Sequence, residues 1–198
     1  MCIRDRNSPD ATARLMGLFT KIEGQVERAG AITQRVRALV NSTDPQLLPM
    51  PLFPAVEEII QMMEPETTNR GCRILCEPAD LPAVLADSLQ VQLVLVNLLQ
   101  NAQQAICSSD GFDKLVVVDA CPINNREVQV SVTDRGPGIP PEQVADMFEP
   151  LYSGTIGGMG VGLAISKTVI DAHGGRIWYE PNPAGGAIFR FTLQIAAS

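Results

Sequence analysis

Residues 134–162 read DRGPGIPPEQVADMFEPLYSGTIGGMGVG, and the reading of this stretch decides the fold. It opens on Asp134-x-Gly136-x-Gly138-x-Pro140 and closes on Gly158-x-Gly160-x-Gly162. Between them lies one short apolar patch, Met147-Phe148-Glu149-Pro150-Leu151-Tyr152. Glycines at alternate positions allow positive φ and let the backbone come close to a ligand, because no Cβ intervenes. The second cluster runs into Val161-Gly162-Leu163-Ala164-Ile165-Ser166, which reads as the start of a helix over 160–172. Free N–H groups and the positive end of the helix dipole then face the loop, and phosphate is the usual guest of that arrangement. One Gly-x-Gly-x-Gly by itself is more often a turn. Two clusters flanking a lid-like segment over 141–157, led by an acidic residue, carry far more weight.

The flanking segments support the same reading. Val128, Val130 and Val132 alternate with Gln129, Ser131 and Thr133, the pattern of a half-buried strand. That strand ends in Asp134, which places a carboxylate at a strand terminus over the pocket. Upstream, residues 88–107 read as a helix. At roughly 100° per residue, Gln90, Asn97, Asn101 and Gln104 fall within an arc of about 60°. Val91, Val94, Leu95, Leu98, Leu99, Ala102, Ala105 and Ile106 cover the other side. A narrow amide stripe on a buried helix is unfavourable unless something pairs with it. Asn97 and Asn101, four residues apart and facing a glycine-rich loop, favour a ligand face over simple backbone hydrogen bonding.

Taken together these segments resemble the nucleotide-binding boxes of the GHKL superfamily, specifically the catalytic domain of bacterial sensor histidine kinases. DRGPGIP resembles the G1 box, MFEPLYSG the F box, GGMGVGLAIS the G2 box and QVQLVLVNLLQNAQQAI the N box, with Gly185-Gly186-Ala187-Ile188-Phe189 as the closing glycine turn. The likeness runs over residues 12 to 195, with the boxes in family order. It implies an α/β fold: a two-layer sandwich of Bergerat type, its mixed sheet covered by three helices on one face, preceded by one long N-terminal helix. It also implies ATP and Mg2+ as ligands. Asp134 then takes the adenine amine, Gly136 and Gly138 line the pocket floor, and Asn97 and Asn101 serve phosphate and metal, Asn101 as the Mg2+ ligand. Gly158, Gly160 and Gly162, with Val161 and Leu163 in the same run, cradle the phosphates. Phe148 ties the lid to its hinge, with plain core packing as the alternative. The chemistry of the first assignment is sound, since a carboxylate only accepts hydrogen bonds and the adenine amine donates them. Amide oxygens likewise suit a hard cation that keeps most of its waters.

The rest of the chain agrees with this organisation. The 198 residues allow one full domain plus an appendage. A net charge of −7 argues against nucleic acid as a partner. No apolar run approaches the roughly 20 residues of a membrane span, and a cytoplasmic location is expected. The five cysteines, Cys2, Cys72, Cys76, Cys107 and Cys121, include no C-x-x-C pair. Cys72 and Cys76 flank a strand-like run over 72–77 and read as buried, reduced thiols. Residues 1–10 show no periodicity and are set aside as unassigned. Over 11–42, apolar residues at Leu15, Leu18, Ile22, Val26, Ala29, Ile32, Val36 and Leu39 describe one long amphipathic helix. The resemblance makes it the second helix of a dimerisation and phosphotransfer hairpin, hence a homodimer. A Pro-rich linker over 43–53, with a short strand near Leu47-Leu48, leads into the catalytic domain at 54–198. That domain is expected to continue with a helix at 55–63 and a turn at 78–82. The sole histidine, His173, precedes Gly174-Gly175 and reads as a helix stop rather than a catalytic group.

The resemblance implies transfer of the γ-phosphoryl group of ATP to a histidine, then relay to an aspartate of a response regulator. The helix bearing that histidine does not occur in this sequence, so the chain alone is expected to be inactive in autophosphorylation. Thr155 stands where many relatives carry Lys, which weakens neutralisation near the terminal phosphate. One alternative is an ATPase of the same superfamily, but such enzymes need a carboxylate base four residues before the metal-ligating Asn. Here that residue is Asn97. The other alternative is a dimerisation module whose glycine boxes have decayed.

Overall fold

The structure is a computed structural model that describes residues 45–107, 113–150 and 161–197. The long helix expected over 11–42 lies outside the described residues. Among those described, the chain runs β1 (Leu48–Met50), α1 (Leu52–Asn69), β2 (Arg73–Cys76), β3 (Val84–Ala86), α2 (Ser88–Cys107), β4 (Leu115–Pro122), β5 (Glu127–Asp134), a single turn α3 (Pro141–Val144), α4 (Gly162–Ala172), β6 (Ile177–Pro181) and β7 (Ala187–Gln194).

Valine alternation sets the sheet. Val128, Val130 and Val132 of β5 are buried and stand opposite Leu193, Phe191 and Phe189 of β7. The five-stranded order is β2-β4-β5-β7-β6, with β2 parallel to β4 and the other pairs antiparallel, so the sheet is mixed. The three long helices cover one face. α1 packs on β2 and α2, α2 on β4, β5 and α4, and α4 on β6 and β7. Leu95, Leu98, Leu99, Ile106, Ile165, Ile170, Phe191 and Leu193 are completely or almost completely enclosed in this layer. Each such side chain contributes about 1.5–3 kcal/mol on leaving water. The expected two-layer α/β sandwich is what forms.

Several boundaries differ from the sequence expectation, each for a physical reason. The helix expected at 55–63 runs from Leu52 to Asn69. Pro54 sits in the first turn, where its missing N–H has no acceptor to lose. Pro65 lies inside the helix on an exposed face, so water can satisfy the carbonyl left free. The short strand expected near Leu47-Leu48 in the linker is β1, set slightly later at Leu48–Met50; it pairs antiparallel with β3 and sets buried Met50 opposite Val84. β3 itself follows the expected turn at 78–82 and was not anticipated, because three residues paired with a segment 36 positions away (Pro49 with Leu85) leave little local pattern. Helix α2 occupies the expected 88–107. Asp87 caps it: its Oδ1 accepts from the N–H groups of Leu89 (3.1 Å) and Gln90 (3.3 Å).

Candidate nucleotide site

Asp134 ends β5 in a buried position, 2% exposed. Its Oδ1 accepts hydrogen bonds from the backbone N–H of Gly136 (2.8 Å) and of Ala187 (3.2 Å). The donors thus come from the turn that follows β5 and from the first residue of β7. Both fall on one oxygen, so Oδ2 takes neither and remains for another partner. Burial pushes the carboxyl above its ordinary pKa, while the two backbone N–H groups pull it back.

The turn between β6 and β7 folds over the same residue. Asn182 donates from Nδ2 to the Asp134 carbonyl oxygen at 2.9 Å. Gly186, at φ +100°, approaches so closely that a Cβ would lie 2.2 Å from that oxygen. A Cβ on Gly136 would meet Asp134 Oδ1 at 3.0 Å and the Ala105 Cβ of α2 at 3.1 Å. Gly138, at φ +75°, lies against the Gly186 carbonyl. The glycines therefore let three backbone segments converge on one carboxylate. Sequence reasoning placed Asp134, Gly136 and Gly138 here but missed Asn182, whose signal was its place between Pro181 and Pro183 beside the glycine turn.

Helix α2 brings its amides to α4. Asn97 is 2% exposed and donates from Nδ2 to the Gly162 carbonyl (3.3 Å) and to Ser166 Oγ (3.4 Å). Ser166 in turn donates to the Gly162 carbonyl at 2.9 Å. Asn97 thereby fastens the first turn of α4 to α2, and Ser166 is a partner the sequence did not reveal. Asn101, one turn on, is half-buried, and its side chain makes no hydrogen bond to the described residues. Val161 stands at the N-cap of α4 with no side-chain cap, and Gly162 and Leu163 follow it in the first turn. Among the described residues no side chain caps the N–H groups there, as an anion site requires.

The amide stripe is only partly as expected. Gln90 is buried, whereas Gln104 is exposed. It is Gln103, on the apolar side, that is enclosed, donating from Nε2 to Thr67 Oγ1 of α1 at 2.6 Å. Phe148 packs edge-on to Phe189 of β7, with ring centroids 6.5 Å apart, and neighbouring Met147 is buried. Gly158, Gly160 and Thr155 lie outside the described residues.

His173 caps the end of α4 and is 2% exposed. Its Nε2 accepts from the Asp87 backbone N–H at 3.0 Å, so Nδ1 carries the proton donated to the Val169 carbonyl at 2.7 Å. Both ring nitrogens are committed. The histidine locks the end of α4 to the capped start of α2.

A family model described as histidine kinase-, DNA gyrase B-, and HSP90-like ATPase matches residues 86–197, more than half of the chain. The chain belongs to this ATPase family. Among curated proteins it is 36% identical over 193 residues to the sensor protein FixL of Bradyrhizobium diazoefficiens, covering 96% of this chain and 37% of that one. It is 31% identical over 195 residues to the C4-dicarboxylate transport sensor protein DctS of Rhodobacter capsulatus, covering 96% and 29%. The chain therefore spans well under half the length of these relatives. Among solved structures, the nucleotide-free catalytic domain of histidine kinase ThkA matches with a TM-score of 0.66 at 28% identity, over 76% of this chain and 99% of that one. Full-length ShkA in complex with AMPPNP shares the fold, with a TM-score of 0.74 at 23% identity, over 98% and 41%. Within the family, the chain carries an ATP-binding catalytic domain of the sensor histidine kinase type.

Proposed function

We propose that this chain binds Mg-ATP and donates its γ-phosphoryl group to a histidine on a helix beyond this sequence, for relay to a response-regulator aspartate. The observation that carries the reading is Asp134, whose Oδ1 is held by two backbone donors while Oδ2 receives neither. That oxygen is an acceptor for the adenine amine. Gly136, Gly138 and Gly186 let the backbone close in around that carboxylate and hold it in place. Asn101, a half-buried amide without a protein partner among the described residues, would hold Mg2+, which neutralises developing phosphate charge when bound. The uncapped start of α4 (Val161, Gly162, Leu163), continuing from Gly158 and Gly160, receives phosphate oxygens. Asn97 positions that turn, and Phe148 anchors the segment that leads to it.

Phosphoryl transfer is mostly positioning and electrostatics, so a domain of this kind supplies affinity and orientation while the nucleophile comes from elsewhere. His173 does not serve as that nucleophile, because it is buried with both nitrogens bonded. Water activation by the residue at 97 is likewise disfavoured, since an amide takes no proton. Dimerisation through residues 11–42, a response-regulator partner and a cytoplasmic location complete the proposal. Solved relatives of the same fold include ThkA in complex with the response regulator TrrA. The test fuses an acceptor-histidine helix upstream of Ala11 and incubates the fused and present chains with γ-labelled ATP. Acid-labile label on the fused chain alone is expected. Acid-labile label on the present chain, lost in His173→Gln, would overturn the proposal.

A further inference from the structure

Cys107, the last residue of α2, lies with its Sγ 2.7 Å from the Sγ of Cys72, which follows the turn after α1. Both sulfurs converge on one carbonyl, that of Arg70, at 3.7 Å from Cys72 and 4.0 Å from Cys107. The sequence expectation had grouped Cys72 with Cys76, but Cys76 turns instead towards the Glu77 carbonyl at 3.9 Å. Cys121 is exposed near the far end of β4. The separation of the two sulfurs is well inside ordinary non-bonded contact and a short movement from a bond of about 2.05 Å. We propose that Cys72 and Cys107 form a reversible disulfide that staples the end of α2 to the turn after α1. Neither cysteine belongs to the nucleotide site, so the inference stands apart from the proposed function.

The environment assigns the two thiols different parts. Cys72 is 4% exposed, and burial followed by the neighbouring Cys107 pushes its thiol up to about 11, against the pull of Lys114 and Arg70. It is a poor first nucleophile. Cys107 is part-exposed and is the sulfur an oxidant reaches. With hydrogen peroxide as oxidant, the Cys107 thiolate attacks one oxygen, the O–O bond breaks, and hydroxide leaves and takes a proton to become water. The product is Cys107 sulfenic acid. The Cys72 sulfur then attacks the Cys107 sulfur, the S–O bond breaks, and the departing hydroxide takes the Cys72 proton as a second water. Two thiols and one peroxide give one disulfide and two waters. A dithiol such as dithiothreitol reverses it by exchange. In a compartment that keeps thiols reduced, a disulfide of this kind responds to oxidant rather than persisting as a structural bridge.

The cysteines lie 35 positions apart, a loop long enough for the cross-link to raise Tm by about 10 °C. The test treats the whole chain with hydrogen peroxide, alkylates free thiols, and maps peptides by mass spectrometry. A linked Cys72–Cys107 peptide, reversed by dithiothreitol, is expected, with the rise in Tm in the native chain and none in Cys107→Ser. Mapping uses the native chain, so it does not depend on any variant folding. Linkage of Cys72 to Cys76, a bridge between chains, Cys107 sulfinic acid with Cys72 still alkylatable, or a linked peptide with unchanged Tm would each overturn the proposal.

Discussion

Replacing Asp134 by Asn alters the proposed adenine contact while preserving the local fold, and the structure shows why. The amide oxygen can keep both bonds now made by Oδ1, from Gly136 at 2.8 Å and Ala187 at 3.2 Å. The NH2 group then occupies the place of Oδ2 and presents a donor to the donating adenine amine. Loss of a charge-assisted hydrogen bond in a closed pocket costs roughly 1.5–3 kcal/mol, or about 10- to 150-fold in affinity. Burial already disfavours the Asp134 charge, so the neutral variant should fold at least as stably without ligand. Isothermal titration calorimetry with ATP gives the affinity, and a thermal melt without nucleotide gives the stability. Unchanged affinity in a folded Asp134→Asn variant would refute the reasoning. A variant that lost affinity only because it was partly unfolded would show a depressed melt.

Three further outcomes follow from the same geometry. Because the Asp134 pKa is raised on folding, its contribution to stability is full below the ordinary value of 3.8 and is lost as pH rises through the folded value. The ligand-free Tm of Asp134→Asn should therefore match the native chain in acid and exceed it at neutral pH; a difference independent of pH would contradict this. Gly186→Ala forces a Cβ to 2.2 Å from the Asp134 carbonyl at φ +100° and should cost about 3 kcal/mol or more in urea unfolding. Gly185→Ala, at φ +92° with open space, should cost only roughly 1–2 kcal/mol, and equal losses would show that the close approach is unimportant. His173→Ala leaves the part-buried Asp87 N–H without its acceptor and opens a cavity where the buried ring stood, so a loss of about 2–4 kcal/mol is expected in the same assay. A neutral result would remove His173 from the α4–α2 lock.

Much of this was legible in the sequence because its signals are local. Valine alternation fixed β5, the apolar run fixed α2 at 88–107, and the glycines around Asp134 marked the turns that close on it. What escaped was set by partners distant along the chain. Gln104 lies on the azimuth of Asn97, yet it is exposed, because burial depends on what packs at each level of a helix and not on azimuth alone. Gln103 sits on the apolar side, and a polar residue there was the available hint; its partner Thr67 belongs to a helix whose extent past Pro65 was not evident. β3 and the pairing of Cys72 with Cys107 rest on contacts more than thirty positions apart. His173 was readable as a helix stop, but its bond to the Asp87 N–H required the fold.

The most direct test of the account is calorimetric titration of this chain with ATP, with and without Mg2+. Saturable one-to-one binding is expected, strengthened by Mg2+ in the native chain, with the strengthening lost in Asn101→Ala. Absence of binding by the folded native chain, or an Mg2+ effect that survives Asn101→Ala undiminished, would contradict it.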